Sequence, residues 1–506
     1  MHSKRPVYAL LVLGALVVAV LTAYPYTLTR VKQAGQQLAE RVKQSLGTTH
    51  TSSLGPEALP PPPSAPVYDV AVWYGARGEA PEGHGVFVRS FDGRRVYASL
   101  NADTTFNPAS LLKLATTLVA LRRFGPDHRF VTRVFAEGGV DPKQKRLDGS
   151  LYLDGQDPSF GDFAANVVRR ELKARGIERV RDKILATPGF SFNYSEKPDD
   201  SAKRTADAMK LGQKETGAAE QAAGSELFKV HSNPLREVLL YMNAHSNNFV
   251  ADHICEQFGG PAELQRFLVT ELKLPAEQVY LETCSGLEVN RMTPRGIAAV
   301  IRALADEVNR HGLKIEDVMP VASCDWGTLR KRLEGTAYQC AAVGKTGTLT
   351  DTDGGMSNLA GIAFTEDAGP FIYVILTQGR RISEQKQSTD ALLTELLAQH
   401  RPAPLGAPGQ TRRQLMPSAN LRAEPQLYTG ASDANGQDKA AAGEEEKESD
   451  DIEDEPEGRK AGRKAESKTA RGKNQKAEAA KGKAAQTKNA RGRTEPTRKT
   501  SPRRRR

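Results

Sequence analysis

Asn107-Pro108-Ala109-Ser110-Leu111-Leu112-Lys113 is the stretch on which the reading of this chain turns. Directly after Asn107-Pro108, the recurrence of Leu111, Leu114, Ala115 and Leu118 predicts a helix over residues 110–123. Ser110 and Lys113 then stand one turn apart on the same face. A lysine whose pKa is depressed by partial burial and by a neighbouring Lys345 can take the proton of a serine hydroxyl, which makes Ser110 a candidate nucleophile. Two further patterns follow in order: Ser246-Asn247-Asn248 at a junction between apolar helices, and Lys345-Thr346-Gly347 in a predicted strand. Singly they are weak, because Ser-x-x-Lys recurs at Ser383 and Ser-x-Asn recurs at Ser99, Ser191 and Ser418. Order and setting carry the signal.

Outward from the first motif, residues 86–91 and 94–99 read as two strands joined by Asp92-Gly93, a pair suited to a tight hairpin. Residues 130–135 and 150–153 are further strand candidates. Residues 192–224 turn polar and Ala-rich and read as a surface excursion. An apolar helical face returns over 234–243, and another helix starts at 249. Residues 343–350, 358–365 and 371–378 read as three successive strands, and 388–399 as a closing helix.

The ends of the chain differ in character. Residues 7–23 are nearly all apolar and follow Lys4 and Arg5, which predicts an export signal or, as the preferred reading, an uncleaved membrane anchor. The folded part is then expected outside the cytoplasm. Residues 1–26 form the cytoplasmic stub and anchor or signal. A linker over 27–66 carries the stiff spacer Pro60-Pro61-Pro62-Pro63. The catalytic domain is expected over 67–400, with an insertion at about 125–230, and a disordered tail over 401–506. The net charge of +10 over 506 residues belongs to that tail. Residues 459–506 hold 19 Lys/Arg against 3 Asp/Glu, so the rest of the chain is acidic. An acidic run over 444–457 precedes the basic block. The basic balance therefore gives no nucleic-acid signal for the folded part, while clustered Lys/Arg on an exported tail suits anionic envelope polymers. Cys255, Cys284, Cys324 and Cys340 lack metal-ligand spacing. No metal or cofactor is expected. Four cysteines outside the cytoplasm permit two disulfides in three connectivities, with Cys324 to Cys340 the preferred pair.

The three motifs resemble the Ser-x-x-Lys, Ser-x-Asn, Lys-Thr-Gly set of serine acyltransferases that react with β-lactams. Their context is similar to the class C low-molecular-mass penicillin-binding proteins, the D-Ala-D-Ala carboxypeptidase/endopeptidase family (peptidase family S13). The likeness covers about residues 85–399. It includes Asn107-Pro108-Ala109-Ser110, Leu151-Tyr152-Leu153 with Gly155 and Asp157-Pro158-Ser159, Ser285-Gly286-Leu287, Met319-Pro320-Val321-Ala322, Gly327-Thr328-Leu329 and Asn358-Leu359-Ala360-Gly361. The resemblance implies an α/β fold of the β-lactamase/transpeptidase type: an antiparallel five-stranded sheet flanked by helices, with an insertion between the first and second motifs. It implies a serine D-Ala-D-Ala carboxypeptidase that acts on peptidoglycan stem peptides, is acylated by β-lactams, and also takes an endopeptidase role in some members.

Within that chemistry, Ser110 is the nucleophile and Lys113 its base. The Ser110 and Thr348 N–H groups are the expected oxyanion donors. Ser246 relays a proton to the leaving amine, and Asn248 hydrogen-bonds Lys113 and the substrate backbone. Lys345 and Thr346 bind the terminal carboxylate, and Gly347 lies in the strand beside which the substrate extends. Two departures stand out: the insertion reads as reduced, with the polar stretch 192–224 where a segment for the diamino-acid side chain is expected, and Glu288-Val289 replaces the usual Ser-Arg after Ser-Gly-Leu. The alternatives are a β-lactamase or esterase of the same fold group, with Glu288 as the deacylating base, and a non-catalytic wall-binding scaffold.

Overall fold

In the computed structural model, which describes residues 68–212, 215–407 and 421–425, a short helix α1 (Val70–Gly75) leads into the hairpin β1 (His84–Ser90) and β2 (Val96–Leu100). Gly93 takes a φ of 78° in the connecting turn, a conformation that glycine adopts without a Cβ clash. A 3-10 turn, Ala109–Leu112, then runs into α2 (Lys113–Phe124). The chain next builds β3 (Val131–Asp141), β4 (Arg146–Gly155), α3 (Asp162–Ala174), β5 (Arg179–Val180), β6 (Lys183–Ala186), α4 (Pro198–Met209), β7 (Glu215–Ala218) and β8 (Ser225–His231). It returns through α5 (Leu235–His245), α6 (Asn248–Glu256), α7 (Gly260–Thr270) and α8 (Pro294–Arg310). The strands β9 (Ala342–Leu349), β10 (Met356–Ala363) and β11 (Phe371–Thr377), the helix α9 (Ile382–Leu397) and a last strand β12 (Arg422–Pro425) complete the described elements.

Five strands form one antiparallel sheet in the order β2-β1-β11-β10-β9. Side chains alternate across it. Ile372, Val374 and Leu376 of β11 join a core with Leu114, Leu118, Val238 and Ile301 on the face covered by α2 and α5 to α8, while Phe371, Tyr373 and Ile375 pack with Trp73, Leu392 and Leu393 on the face covered by α1 and α9. Burial on both faces explains why this strand reads as a continuous apolar run. Leu114, Leu118 and Leu121 of α2 are fully buried, each contributing on the order of 1.5–3 kcal/mol. The helix that begins at the first motif is thus anchored in this core.

A second, seven-stranded sheet takes six strands from the segment between the first two motifs and its seventh, β12, from near residue 425; it is ordered β12-β8-β3-β4-β6-β7 with β5 beside β4. It has its own core, in which Leu151, Leu153, Val168, Ile184 and Phe228 are buried. Residues 192–224 are therefore not a surface excursion. They contribute Phe192, Ala202, Ala206 and Met209 to that core, and β7 pairs in parallel with β6. Their polar reading arises because α4 fills its inner face with small residues. Ser201 and Thr205 are buried, the Thr205 hydroxyl donating to Ser201 O at 2.7 Å.

The expectation of disorder from residue 401 onward also needs correction. Ala403 N–H donates to Phe364 O and Leu405 N–H to Cys340 O, and β12 pairs antiparallel with β8, with Glu424 3.1 Å from His231. Backbone pairing needs no apolar periodicity, so this strand leaves little trace in the sequence. Disulfides join Cys255 to Cys284 and Cys324 to Cys340, the latter the expected pair. Among the described residues no helix is long and apolar enough to cross a membrane. The apolar stretch 7–23, the Pro-rich spacer and the acidic and basic runs of the tail lie outside the described residues.

Candidate active site

Three backbone segments converge on Ser110. Asn107 sets its approach: its Oδ1 accepts from Ala109 N–H at 3.0 Å, its Nδ2 donates to Glu288 O at 2.8 Å, and its own carbonyl accepts from Asn358 Nδ2 at 2.9 Å. Ala109 has a φ of 48°, a left-handed conformation that costs energy for any residue with a Cβ, and it precedes Ser110 directly. The neighbours come too close for side chains. A Cβ on Gly286 would lie 1.9 Å from Ala109 O, and one on Gly347 would lie 2.7 Å from Pro108 O.

Ser110 lies in the 3-10 turn, and the α-helix proper begins at Lys113, three residues later than expected. The difference leaves the pair intact, because residues i and i+3 eclipse in a 3-10 turn. Lys113 Nζ lies 3.0 Å from Ser110 Oγ, 2.6 Å from Asn248 Oδ1 and 2.6 Å from Ser285 O. Lys113 is fully buried. Burial pushes its amine down to about 7, against an upward pull from the charge of Asp252.

The second motif sits between two helices. Ser246 ends α5 with a φ of 54°, and Asn247 caps α6 by accepting from Val250 N–H at 2.9 Å, which brings Asn248 to the first position of that helix. The third motif lies on β9, the edge strand of the five-stranded sheet. Lys345, also fully buried, donates to Ser246 Oγ at 2.8 Å and to Thr346 O at 2.8 Å. Its amine is held well below its ordinary range, first by burial and then by the charge of Lys113. The expected repulsion between the two lysines thus falls on Lys345, while Lys113 is depressed by burial. Gly344 N–H points away from β10, to Pro320 O at 3.1 Å. Alternation along the strand turns the Thr346 and Thr348 N–H groups toward the same outer edge.

All eight residues singled out from the sequence fall on the elements that converge here. Others take part without having been assigned a place: Asn107, Asn358, Ser285 through its carbonyl, and Thr328, whose hydroxyl accepts from Thr346 Oγ1 at 2.8 Å. Each lay inside a quoted motif, but a carbonyl or a turn hydroxyl carries no residue-type signature. Asp252, whose Oδ1 accepts from Cys284 and Ser285 N–H, gave no signal. Glu288 has an exposed side chain and offers its carbonyl to Asn107. No group of His, Cys, Asp or Glu among the described residues is arranged to hold a metal ion.

The sequence model of the D-Ala-D-Ala carboxypeptidase 3 (S13) family matches residues 78–199 and 205–399. The chain belongs to this S13 family. It is a serine D-Ala-D-Ala carboxypeptidase, a hydrolase of the cell wall acting outside the cytoplasm. No curated protein sequence matches it. Among solved structures, the predatory endopeptidase Bd3459 from Bdellovibrio bacteriovorus is 18% identical with a TM-score of 0.57, covering 66% of this chain and 96% of its own. A second predatory endopeptidase from that organism, Bd0816, solved with an immunity protein, is 19% identical with a TM-score of 0.55 over 67% of this chain and 99% of its own. Penicillin binding protein 4 from Haemophilus influenzae is 17% identical with a TM-score of 0.52, over 62% and 97% respectively. At these identities the likeness establishes the shared fold: a mixed α/β S13 domain around an antiparallel five-stranded sheet.

Proposed function

We propose that this S13 enzyme removes the terminal D-Ala of peptidoglycan stem peptides through an acyl-enzyme on Ser110, and that β-lactams acylate the same serine. The hydrogen-bond geometry of Lys113 carries the reading. A neutral amine has two hydrogens and one lone pair. The acceptors Asn248 Oδ1 and Ser285 O, each at 2.6 Å, take the two hydrogens and leave the lone pair facing Ser110 Oγ at 3.0 Å. Lys113 then accepts the Ser110 proton as Oγ attacks the carbonyl carbon. The oxyanion is held by the Ser110 and Thr348 N–H groups. On collapse the C–N bond breaks, and the departing amine takes a proton from Ser246, which Lys345 supports at 2.8 Å. The proton that Lys113 took from Ser110 replaces the one Ser246 gave, which returns the amine to its neutral form. Water then attacks the acyl-enzyme, its proton passing through Lys113 to Ser110 Oγ as the acyl C–O bond breaks and the shortened peptide leaves.

Lys345 and Thr346 receive the terminal carboxylate, an anion that would restore the ammonium form disfavoured by burial. Endopeptidase cleavage of a cross-link is the same reaction with a larger leaving group. A structural neighbour described as a penicillin G acylated endopeptidase supports the β-lactam reading. Residues 7–23 supply the membrane anchor, on the strength of their apolar length beside Lys4 and Arg5.

Ser110→Ala tests the core of this reading. The change removes one hydroxyl at the start of a turn, so the fold should persist while covalent labelling by a fluorescent penicillin and release of D-Ala are both abolished. Labelling at wild-type stoichiometry would place the nucleophile elsewhere.

A further inference from the structure

We propose that Asp252 is a positioning residue for Lys113: from helix α6 it fixes the Cys284–Ser285 turn, whose carbonyl takes one of the two hydrogens of the amine. The inference rests on the reading of Lys113 as the base. Asp252 follows Asn248 by one helical turn on the same face, so α6 reaches Lys113 twice, directly through Asn248 and indirectly through Asp252. The Asp252 Oδ1 accepts from Ser285 N–H at 2.7 Å and from Cys284 N–H at 3.0 Å. The remaining groups of the turn are also held. Thr116 Oγ1, from the nucleophile helix, donates to Cys284 O at 2.9 Å, and Gly286 N–H donates to Thr283 Oγ1 at 3.1 Å. One turn further along α6, Cys255 joins Cys284 through a disulfide.

A turn so restrained presents the Ser285 carbonyl to Lys113 in one orientation. If it rotated away, a buried N–H would lose its partner and the lone pair would no longer be fixed on Ser110. Asp252 has a second influence, because its negative charge favours the ammonium form of Lys113 and opposes the effect of burial. The charged groups facing Lys113 are Lys345 from β9 and Asp252 from α6; Ser110, Asn248 and the Ser285 carbonyl are neutral. The two influences of Asp252 are separable. An asparagine keeps an oxygen acceptor for the turn and removes the charge, whereas an alanine removes both.

The test is the rate of acylation by a fluorescent penicillin across pH for the full chain, Asp252→Asn, Asp252→Ala and Lys113→Ala, with thermal unfolding measured alongside. In the wild type the rate should rise with pH through the titration of Lys113, since only the neutral amine accepts a proton. Asp252→Asn should keep most of the high-pH plateau and move the midpoint to lower pH by roughly half a unit or more, the loss of one nearby charge. Asp252→Ala should lower the plateau by ~10-fold or more, the effect of a loosened hydrogen bond on the base. An unshifted midpoint in Asp252→Asn, with its plateau kept and that of Asp252→Ala lowered, removes the charge effect and supports the positioning role. An Asp252→Asn plateau as low as that of Asp252→Ala overturns the proposal. So does a wild-type plateau in Asp252→Ala. Wild-type acylation of Lys113→Ala would instead sink the reading of Lys113 as base, so the two failures are distinguishable.

Discussion

At the scale of single residues, the site sets two buried lysines against each other. Each lies where an ammonium is disfavoured, and each is surrounded by acceptors: Lys113 by Asn248 and Ser285, Lys345 by Ser246 and Thr346. The division of labour follows from what each meets. Lys113 faces a hydroxyl and needs a free lone pair, whereas Lys345 lies on the edge strand, where an anionic chain terminus would arrive. A substrate carboxylate at Lys345 and Thr346 would bring back the charge that burial removes. A stem peptide ending in D-Ala amide is therefore expected to be turned over at least ~10-fold more slowly than the free acid, because a hydrogen bond to a charged group contributes about 1.5–3 kcal/mol. Comparison of kcat/KM for the two peptides checks this, and equal values would refute the assigned role and favour a general esterase. The same residues limit what a sequence can disclose. Ser110, Lys113, Ser246, Asn248, Lys345 and Thr346 are legible because their side-chain chemistry is distinctive. The Ser285 carbonyl is not, because every residue has one.

At the scale of elements, the site depends on close backbone approach. The Ser285-Gly286-Leu287 turn touches the strained Ala109, and Gly286 adopts a φ of 84° with no room for a methyl group. Gly286→Ala should push Ala109, and with it Ser110, out of place. A misplacement near 1 Å can cost on the order of 100-fold in rate. Acylation should fall about that far while circular dichroism stays native, and a variant acylating at the wild-type rate would show that the contact does not position Ser110. Legibility among the elements follows burial. β9, β10 and β11 announced themselves because both sheet faces are covered, so apart from site positions such as Lys345 and Asn358 they are mostly apolar or small. α2 was legible through Leu114 and Leu118, although its first turn is 3-10. By contrast, α4 packs Ala202 and Ala206 with buried Ser201 and Thr205, and small or hydroxyl side chains register as polar in a hydropathy pattern. β12 was lost for a different reason: four residues held chiefly by backbone pairing to β8 have no periodicity to detect.

At the scale of the whole molecule, charge and catalysis are separated along the chain. The acidic run over 444–457 and the basic run over 459–506, with its 19 Lys/Arg against 3 Asp/Glu, follow the last described strand, while every residue of the candidate site lies between Asn107 and Asn358. β12 itself lies on the edge of the second sheet, beside β8. A cationic segment of this density binds polyanions through release of their condensed counterions, a term that weakens steeply with salt. Two shortened chains, one ending at Gln426 and keeping β12, the other ending at Arg401 and losing it, separate tethering from folding. Both should turn over a small soluble peptide at the full-length rate, since neither loses a residue of the site. Both should sediment less than the full-length protein with isolated envelope material at low ionic strength. That difference should vanish as salt shortens the Debye length to about 3 Å near 1 M. Equal sedimentation of the three proteins at every salt concentration would leave the basic run without a tethering role, and loss confined to the chain ending at Arg401 would assign binding to residues 402–426 instead.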